Sequence, residues 1–244
     1  MIFKEKRITR WHDTDASRRV KITAMLMYMQ ETSNHHMESC GDSLDALRDK
    51  KGLAFLLSKT RMSIYRPLYA FEEIEIETWT CQGHGLSIPR CYRIKRGDDV
   101  IAEADTTWGL LDMNNKRLLK ADEFDGYSFE DEPSLTLDVP LRFKLPRDIP
   151  TEDIGARRIV YSDLDYNMHM NNTHYPDMLC DFLPIDDTKR IRGILLSYVN
   201  EAAFGDELRI MRADAYNSYY FRTVSGKTGK TCLEAQLILS DKEI

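Results

Sequence analysis

Cysteine is scarce in this chain and badly placed for a staple. The five residues (Cys40, Cys81, Cys91, Cys180 and Cys232) are odd in number and scattered, with no C-x-x-C or Cys/His pair at zinc spacing. A disulfide framework and a structural metal are therefore not expected. Long apolar runs are missing too. Nothing approaches the ~18 consecutive residues a membrane helix needs, so no membrane span is expected. The opening MIFKEKRITRW has no apolar core followed by small residues, and it is not Arg- and Ser-rich. Neither a secretory signal nor a transit peptide is expected, and a cytoplasmic location follows. A basic excess is also lacking: 34 Lys and Arg against 40 Asp and Glu leave a formal charge of −6. That argues against a general nucleic-acid binder and leaves room for a local basic patch facing an acidic protein partner.

What remains is an ordinary globular composition, 42% hydrophobic and 30% charged, in a length that suits one large domain or two of roughly 120 residues. The chain repeats itself weakly. Asp13-Thr14-Asp15 resembles Asp163-Leu164-Asp165, and Tyr65-Arg66-Pro67-Leu68-Tyr69-Ala70-Phe71 resembles Tyr198-Val199-Asn200-Glu201-Ala202-Ala203-Phe204. The order of expected elements repeats as well. Thr23 is placed to cap a helix through Met25, Leu26, Met29 and Met37, which Gly41 ends in a left-handed conformation. Residues 73–78 alternate polar and apolar as a half-buried strand, and residues 90–111 form a hairpin turning at Gly97-Asp98-Asp99. In the second half Asn172 caps a helix through Tyr175, Leu179 and Phe182, with Pro176 in its first turn. Strands follow at residues 194–198 and 207–212, then a hairpin turning at Ser225-Gly226-Lys227. One helix followed by antiparallel strands, twice, implies an α+β fold in which each helix is wrapped by a curved sheet. Residues 122–132 hold six acids and no base, and prolines follow at 133, 140, 146 and 150. This composition reads as a linker over 122–150, between an N-terminal unit (1–121) and a C-terminal unit (151–244).

The densest polar cluster precedes the second helix: Asp165-Tyr166-Asn167-Met168-His169-Met170-Asn171-Asn172. An extended backbone sets Asp165, Asn167 and His169 on one side. An imidazole beside a carboxylate and an amide, at a helix start whose N–H groups favour negative charge, suits polarisation of a carbonyl. Turn-forming Asp and Asn around a helix cap are the structural alternative.

This cluster resembles the D-x-N-x-H-x-N-N motif of acyl-[acyl carrier protein] thioesterases. So do Asn34-His35 with Gly41, Glu75-Ile76-Glu77-Thr78-Trp79, residues 104–108, and Asn115-Lys116-Arg117-Leu118, in the same order. The resemblance implies a tandem hotdog fold and hydrolysis of fatty acyl thioesters delivered by acyl carrier protein, with no cofactor and no metal. It implies catalytic roles for Asp165, Asn167, His169 and Glu201. Ala202 stands where many plant members have cysteine, so activated water rather than a thiol is the expected nucleophile. Glu201 with His169 would deprotonate that water, and Asp165 would orient the imidazole. Cys180, in the helix, reads as a small core residue.

Superposing Asp15 on Asp165 sets Ser17 opposite Asn167 and Arg19 opposite His169; superposing Tyr65 on Tyr198 sets Leu68 opposite Glu201. One active site per chain follows, with the N-terminal copy supplying acyl-pocket walls through its methionines, Met25 and Met29 among them. Arg18, Arg19 and Lys21 are candidates to meet the acidic carrier protein. His35-His36 with Glu31 and Glu38 lacks the i,i+4 histidine pair of a helical metal site. His12 beside Asp13 and His174 read as surface residues. Rival functions are hydrolysis of coenzyme A thioesters, a hotdog hydratase or dehydratase, and a silent acyl-binding module. A homodimer is left open.

Overall fold

The computed structural model describes residues 1–41, 43–124, 132–183 and 189–241. Two compact units divide the chain, one of Met1–Thr60 and Ile64–Leu137, the other of Arg61–Ser63 and Asp138–Ile244. Most of the acidic stretch, residues 125–131, lies outside the described residues.

The first unit contains strands β1 (Phe3–Ile8), β2 (Leu53–Ile64, except Arg61–Ser63), β3 (Glu73–Thr80), β4 (Ile88–Arg96), β5 (Asp99–Asp112) and β6 (Arg117–Leu119), with helices α1 (Ile22–Ser39) and α2 (Leu44–Lys51). Its sheet order is β1-β3-β4-β5-β2, with β6 folded back on β5. The alternation in β3 pairs antiparallel with β4 and continues to β5, so that Ile76, Ile94 and Ala102 form one cross-strand row of fully buried side chains. Each of the two isoleucines removed from water contributes about 1.5–3 kcal/mol. α1 packs on β3 and β1. Its buried residues include Met25, Met29, Thr32 and Met37. Gly41 ends α1 at φ 93, as expected, but the helix starts at Ile22 behind Lys21 with no side-chain cap, because Thr23 is itself helical and buried. α2, capped by Ser43, and strands β1 and β2 were not foreseen from the sequence.

The second unit contains β7 (Glu152–Arg158), α3 (Tyr175–Cys180), β8 (Lys189–Tyr198), β9 (Glu207–Ala215), β10 (Ser218–Ser225) and β11 (Thr231–Asp241), in sheet order β7-β9-β10-β11-β8 with antiparallel pairing throughout. A 3-10 turn, Asn172–His174, precedes α3. Its cap is Asn171, one residue before the expected Asn172: Asn171 Oδ1 accepts from the backbone N–H and the hydroxyl of Thr173, at 3.0 and 2.9 Å. Tyr175, Met178 and Leu179 are buried, while Cys180 is exposed at the C-terminus of α3 rather than in the core. Among the described residues no helix is long and apolar enough to cross a membrane. The architecture is the tandem hotdog, a helix and an antiparallel sheet built twice.

Candidate active site

The cluster at 165–169 is a closed turn, not an extended strand. Asp165 N donates to His169 O at 2.9 Å, and Met168, at φ 64, supplies the left-handed residue that reverses the chain. Asp165 Oδ1 accepts from the backbone N–H groups of Asn167 (2.9 Å) and His169 (3.2 Å), and Oδ2 lies 3.4 Å from Asn167 Nδ2. The carboxylate therefore holds the backbone of the turn, and its contact with His169 is to the amide, not to the ring. The amides at the helix start are used internally as well: Met170 N bonds Ala202 O, Asn171 N bonds Asp163 O, and Thr173 N bonds its cap. They do not form the outward-facing anion cradle expected from the sequence.

Below the turn, buried Asp163 accepts from Arg157 Nη2 at 2.6 Å and from Val160 N at 2.9 Å. Opposite it lies the bend after β8. Val199 N and Asn200 N both donate to Cys232 O, at 2.8 and 3.2 Å, and the next residues pair with the turn through Met170 N to Ala202 O (2.8 Å) and a His169–Ala203 bridge. Glu201 is thus clamped from both sides. His169 Nε2 and Glu201 Oε2 meet at 3.3 Å, with the imidazole 31% and the carboxylate 67% exposed. Sequence reasoning missed one neighbour, Cys232, whose Sγ lies 3.6 Å from Glu201 O. Burial pushes this thiol up, which keeps it protonated.

The same turn occurs in the first unit, bond for bond. Asp15 N donates to Arg19 O (2.7 Å), Asp15 Oδ1 accepts from Ser17 N (2.8 Å) and Arg19 N (2.9 Å), and Arg18 has φ 63. Val20 N donates to Leu68 O, while Tyr65 N and Arg66 N converge on Ile101 O. These bonds equate Leu68 with Ala202 and Pro67 with Glu201, one residue away from the alignment read in the sequence. The first turn therefore carries Ser17, Arg19 and Pro67 where the second carries Asn167, His169 and Glu201.

Residues 1–124 match the acyl-ACP thioesterase N-terminal domain and residues 151–238 the C-terminal domain of the same family. The chain belongs to the acyl-ACP thioesterases. Oleoyl-acyl carrier protein thioesterase of Coriandrum sativum is 27% identical over 84% of this chain and 60% of its own length. Oleoyl-acyl carrier protein thioesterase 2 of Arabidopsis thaliana is 24% identical over 94% of this chain and 67% of its own. The chain thus spans about 60–67% of these two curated relatives. Among solved structures, an acyl-ACP thioesterase of Bacteroides thetaiotaomicron superposes with a TM-score of 0.86 at 21% identity, covering 98% of each chain. The 12:0-ACP thioesterase of Umbellularia californica gives 0.83 at 20% identity, covering 99% of this chain and 98% of its own.

The other candidate residues scatter. Met25 and Met29 are buried on α1, 3% and 2% exposed. Arg18 is exposed, and Arg19 Nε lies 3.5 Å from Asp15 Oδ2. His12 is exposed, and Asp13 instead accepts from Tyr28 Oη at 2.5 Å; burial first, then Asp13, pushes that phenol up. His35 meets Glu5 and Glu31, at 3.2 and 3.5 Å, whereas His36 turns inward to Arg90. Their adjacency in sequence does not make them a pair. His174 is half-buried.

Proposed function

We propose that this chain hydrolyses fatty acyl thioesters of acyl carrier protein to free fatty acid and the carrier's free thiol, by activated water. The observation that carries this reading is the His169–Glu201 contact at 3.3 Å, on a turn whose internal copy has neither group. Nε2–H of His169 holds one oxygen of Glu201, and the other oxygen takes a proton from water as that water attacks the thioester carbonyl. The tetrahedral oxyanion accepts a hydrogen bond from the Asn167 amide. Collapse breaks the C–S bond, and the proton passes to the departing thiolate. Asp165 is a positioning residue in this scheme: its hydrogen bonds support the turn that presents Asn167 and His169.

The N-terminal unit, in this reading, has lost the chemistry and keeps an acyl-pocket role through Met25 and Met29, with Arg18 and Arg19 offered to the acidic carrier. The cysteines form no disulfide, which suits a reducing compartment, and the cytoplasm is part of the same proposal. Turnover against carrier-protein thioesters of graded chain length tests it. Release of thiol from at least one length is expected; none, with His169 intact, overturns the reading.

A further inference from the structure

β4 carries a buried cation for which the described residues of its unit supply no anion. Arg90 is 5% exposed. Its Nη1 donates to His36 Nδ1 and to Thr78 Oγ1, both at 3.1 Å. A guanidinium has five N–H donors; Nε and Nη2 donate to no described residue, and no described carboxylate pairs with it. His36 does not serve as a counterion. Burial first, then the charge of Arg90, pushes its imidazole down to about 4, so it is neutral at pH 7 and accepts from the arginine. Elsewhere the chain pairs its half-buried arginines with acids: Arg93 lies between Glu77 and Glu103, and Arg157 on Asp163. Buried charges are ordinarily paired or neutralised, and Arg90 departs from that pattern.

Its neighbours extend the polarity into a band. Thr80, Arg90 and Thr106 are cross-strand partners, all buried, and Trp108 Nε1 donates to Thr106 Oγ1 at 2.8 Å. On one side the buried row Thr78–Tyr92–Ala104 leads to the apolar row Ile76–Ile94–Ala102. The other side is the apolar cluster of Ile88, Leu110, Met37, Leu47 and Phe124. On α1, residues 25, 29, 32 and 36 share one helix face, so the buried methionines lead along the helix to His36.

We propose that the face of the N-terminal unit beneath α1 binds an aliphatic ligand bearing an oxygen function, which Arg90, His36 and Thr78 recognise while the flanking apolar rows hold the chain. The oxygen is either the carboxylate of a free fatty acid or a hydroxyl or keto group within a longer acyl chain; both present an acceptor to the open guanidinium N–H groups. This deepens the thioester hydrolase reading by naming a substrate class, yet it stands or falls on binding alone.

The full chain is titrated with dodecanoate, methyl ω-hydroxydodecanoate and methyl dodecanoate, following thermal unfolding and tryptophan fluorescence. The carboxylate, the hydroxyl ester or both should bind at least about tenfold more tightly than methyl dodecanoate, and Arg90→Met should lose about that advantage. Which probe responds assigns the oxygen to a headgroup or to the chain. The variant itself should stay folded, since removing a buried ion offsets the loss of its hydrogen bonds to His36 and Thr78. Equal binding of all three probes, binding of none, or undiminished discrimination by Arg90→Met overturns the proposal. If Arg90→Met does not fold, Arg90→Gln and the contrast among probes in the parent protein decide. A chain inactive on every thioester that still discriminates the probes removes the hydrolase reading and keeps this site. An active chain that does not discriminate does the reverse.

Discussion

The turns at residues 15–19 and 165–169 share a backbone and differ in nearly everything that carries chemistry. In each, an aspartate accepts the amides two and four residues on, a left-handed residue follows (φ 63 and 64), and the next strand residue bonds across to a distant bend. The shared carboxylate is therefore explained by folding alone. Asp15 does for a turn without a histidine what Asp165 does for one with it. What distinguishes the second turn is His169 in place of Arg19, Asn167 in place of Ser17, and Glu201 in place of Pro67. A proline at the last position contributes neither charge nor donor.

The comparison breaks most easily at the imidazole. His169→Ala should lower kcat for a carrier-bound acyl thioester about 10²–10⁴-fold with the fold intact by circular dichroism, whereas Arg19→Ala should leave kcat within about twofold, its carrier-binding role showing only in KM. Comparable losses in both would mean that the first turn is not silent. Glu201→Gln comes next, with a drop of about 10²-fold or more read as thiol release; a variant retaining most of the activity removes the base role.

Asp15→Ala and Asp165→Ala sharpen the comparison differently. Each leaves two amides without an acceptor, so each should cost about 1–2 kcal/mol of unfolding free energy, while only Asp165→Ala should also slow turnover. Denaturant titration and initial rates on the same samples separate the two effects.

Acid stability offers a further contrast one bend further on. Burial alone would raise the Asp206 carboxyl, but hydrogen bonds from Ser225, Glu207 N and Lys227 N, with the charge of Lys227, hold it below its usual value. A carboxylate depressed in the folded state adds stability above its unfolded pKa, about 3.9, and that stability fades as the pH falls from there through the folded value. Asp206→Asn should therefore flatten the acid limb of the stability profile below about pH 4, measured by thermal melts at stepped pH. The smallest effect belongs to the strained residues. Met168→Gly and Arg18→Gly should each raise stability by up to about 1 kcal/mol by relieving a positive φ, and a loss in either would show that its side chain packs.

Local pattern made several elements legible. The Glu-Ile-Glu-Ile-Glu-Thr alternation predicts β3 because side chains on a strand repeat every two residues, and Gly41 marks the end of α1 because it tolerates a left-handed backbone. The same logic misled at 165–169. Alternation suggested an extended segment, while an aspartate followed by small polar residues equally specifies a turn bonded to its own backbone. Thr23 failed as a cap because its side chain is buried, and Cys180 failed as a core residue because α3 ends at it. The one-residue offset between the Tyr65 and Tyr198 segments was invisible for a different reason. Side-chain likeness aligned the tyrosines, but the hydrogen bonds of the bend align Tyr65 with Val199.

By itself the sequence determined that the chain is built twice, that the second copy of the motif carries the imidazole, and that no thiol follows Glu201. These follow from residue identity and near-neighbour spacing. Only the tertiary structure decided that Glu201 meets His169, 32 residues away, that Cys232 lies beneath it, and that Arg90 faces a neutral histidine 54 residues distant. Such pairings depend on strand register, and register is set by burial of a whole sheet face and by backbone hydrogen bonds between distant bends. A local motif specifies the shape of a turn; what the turn faces is fixed by the rest of the fold.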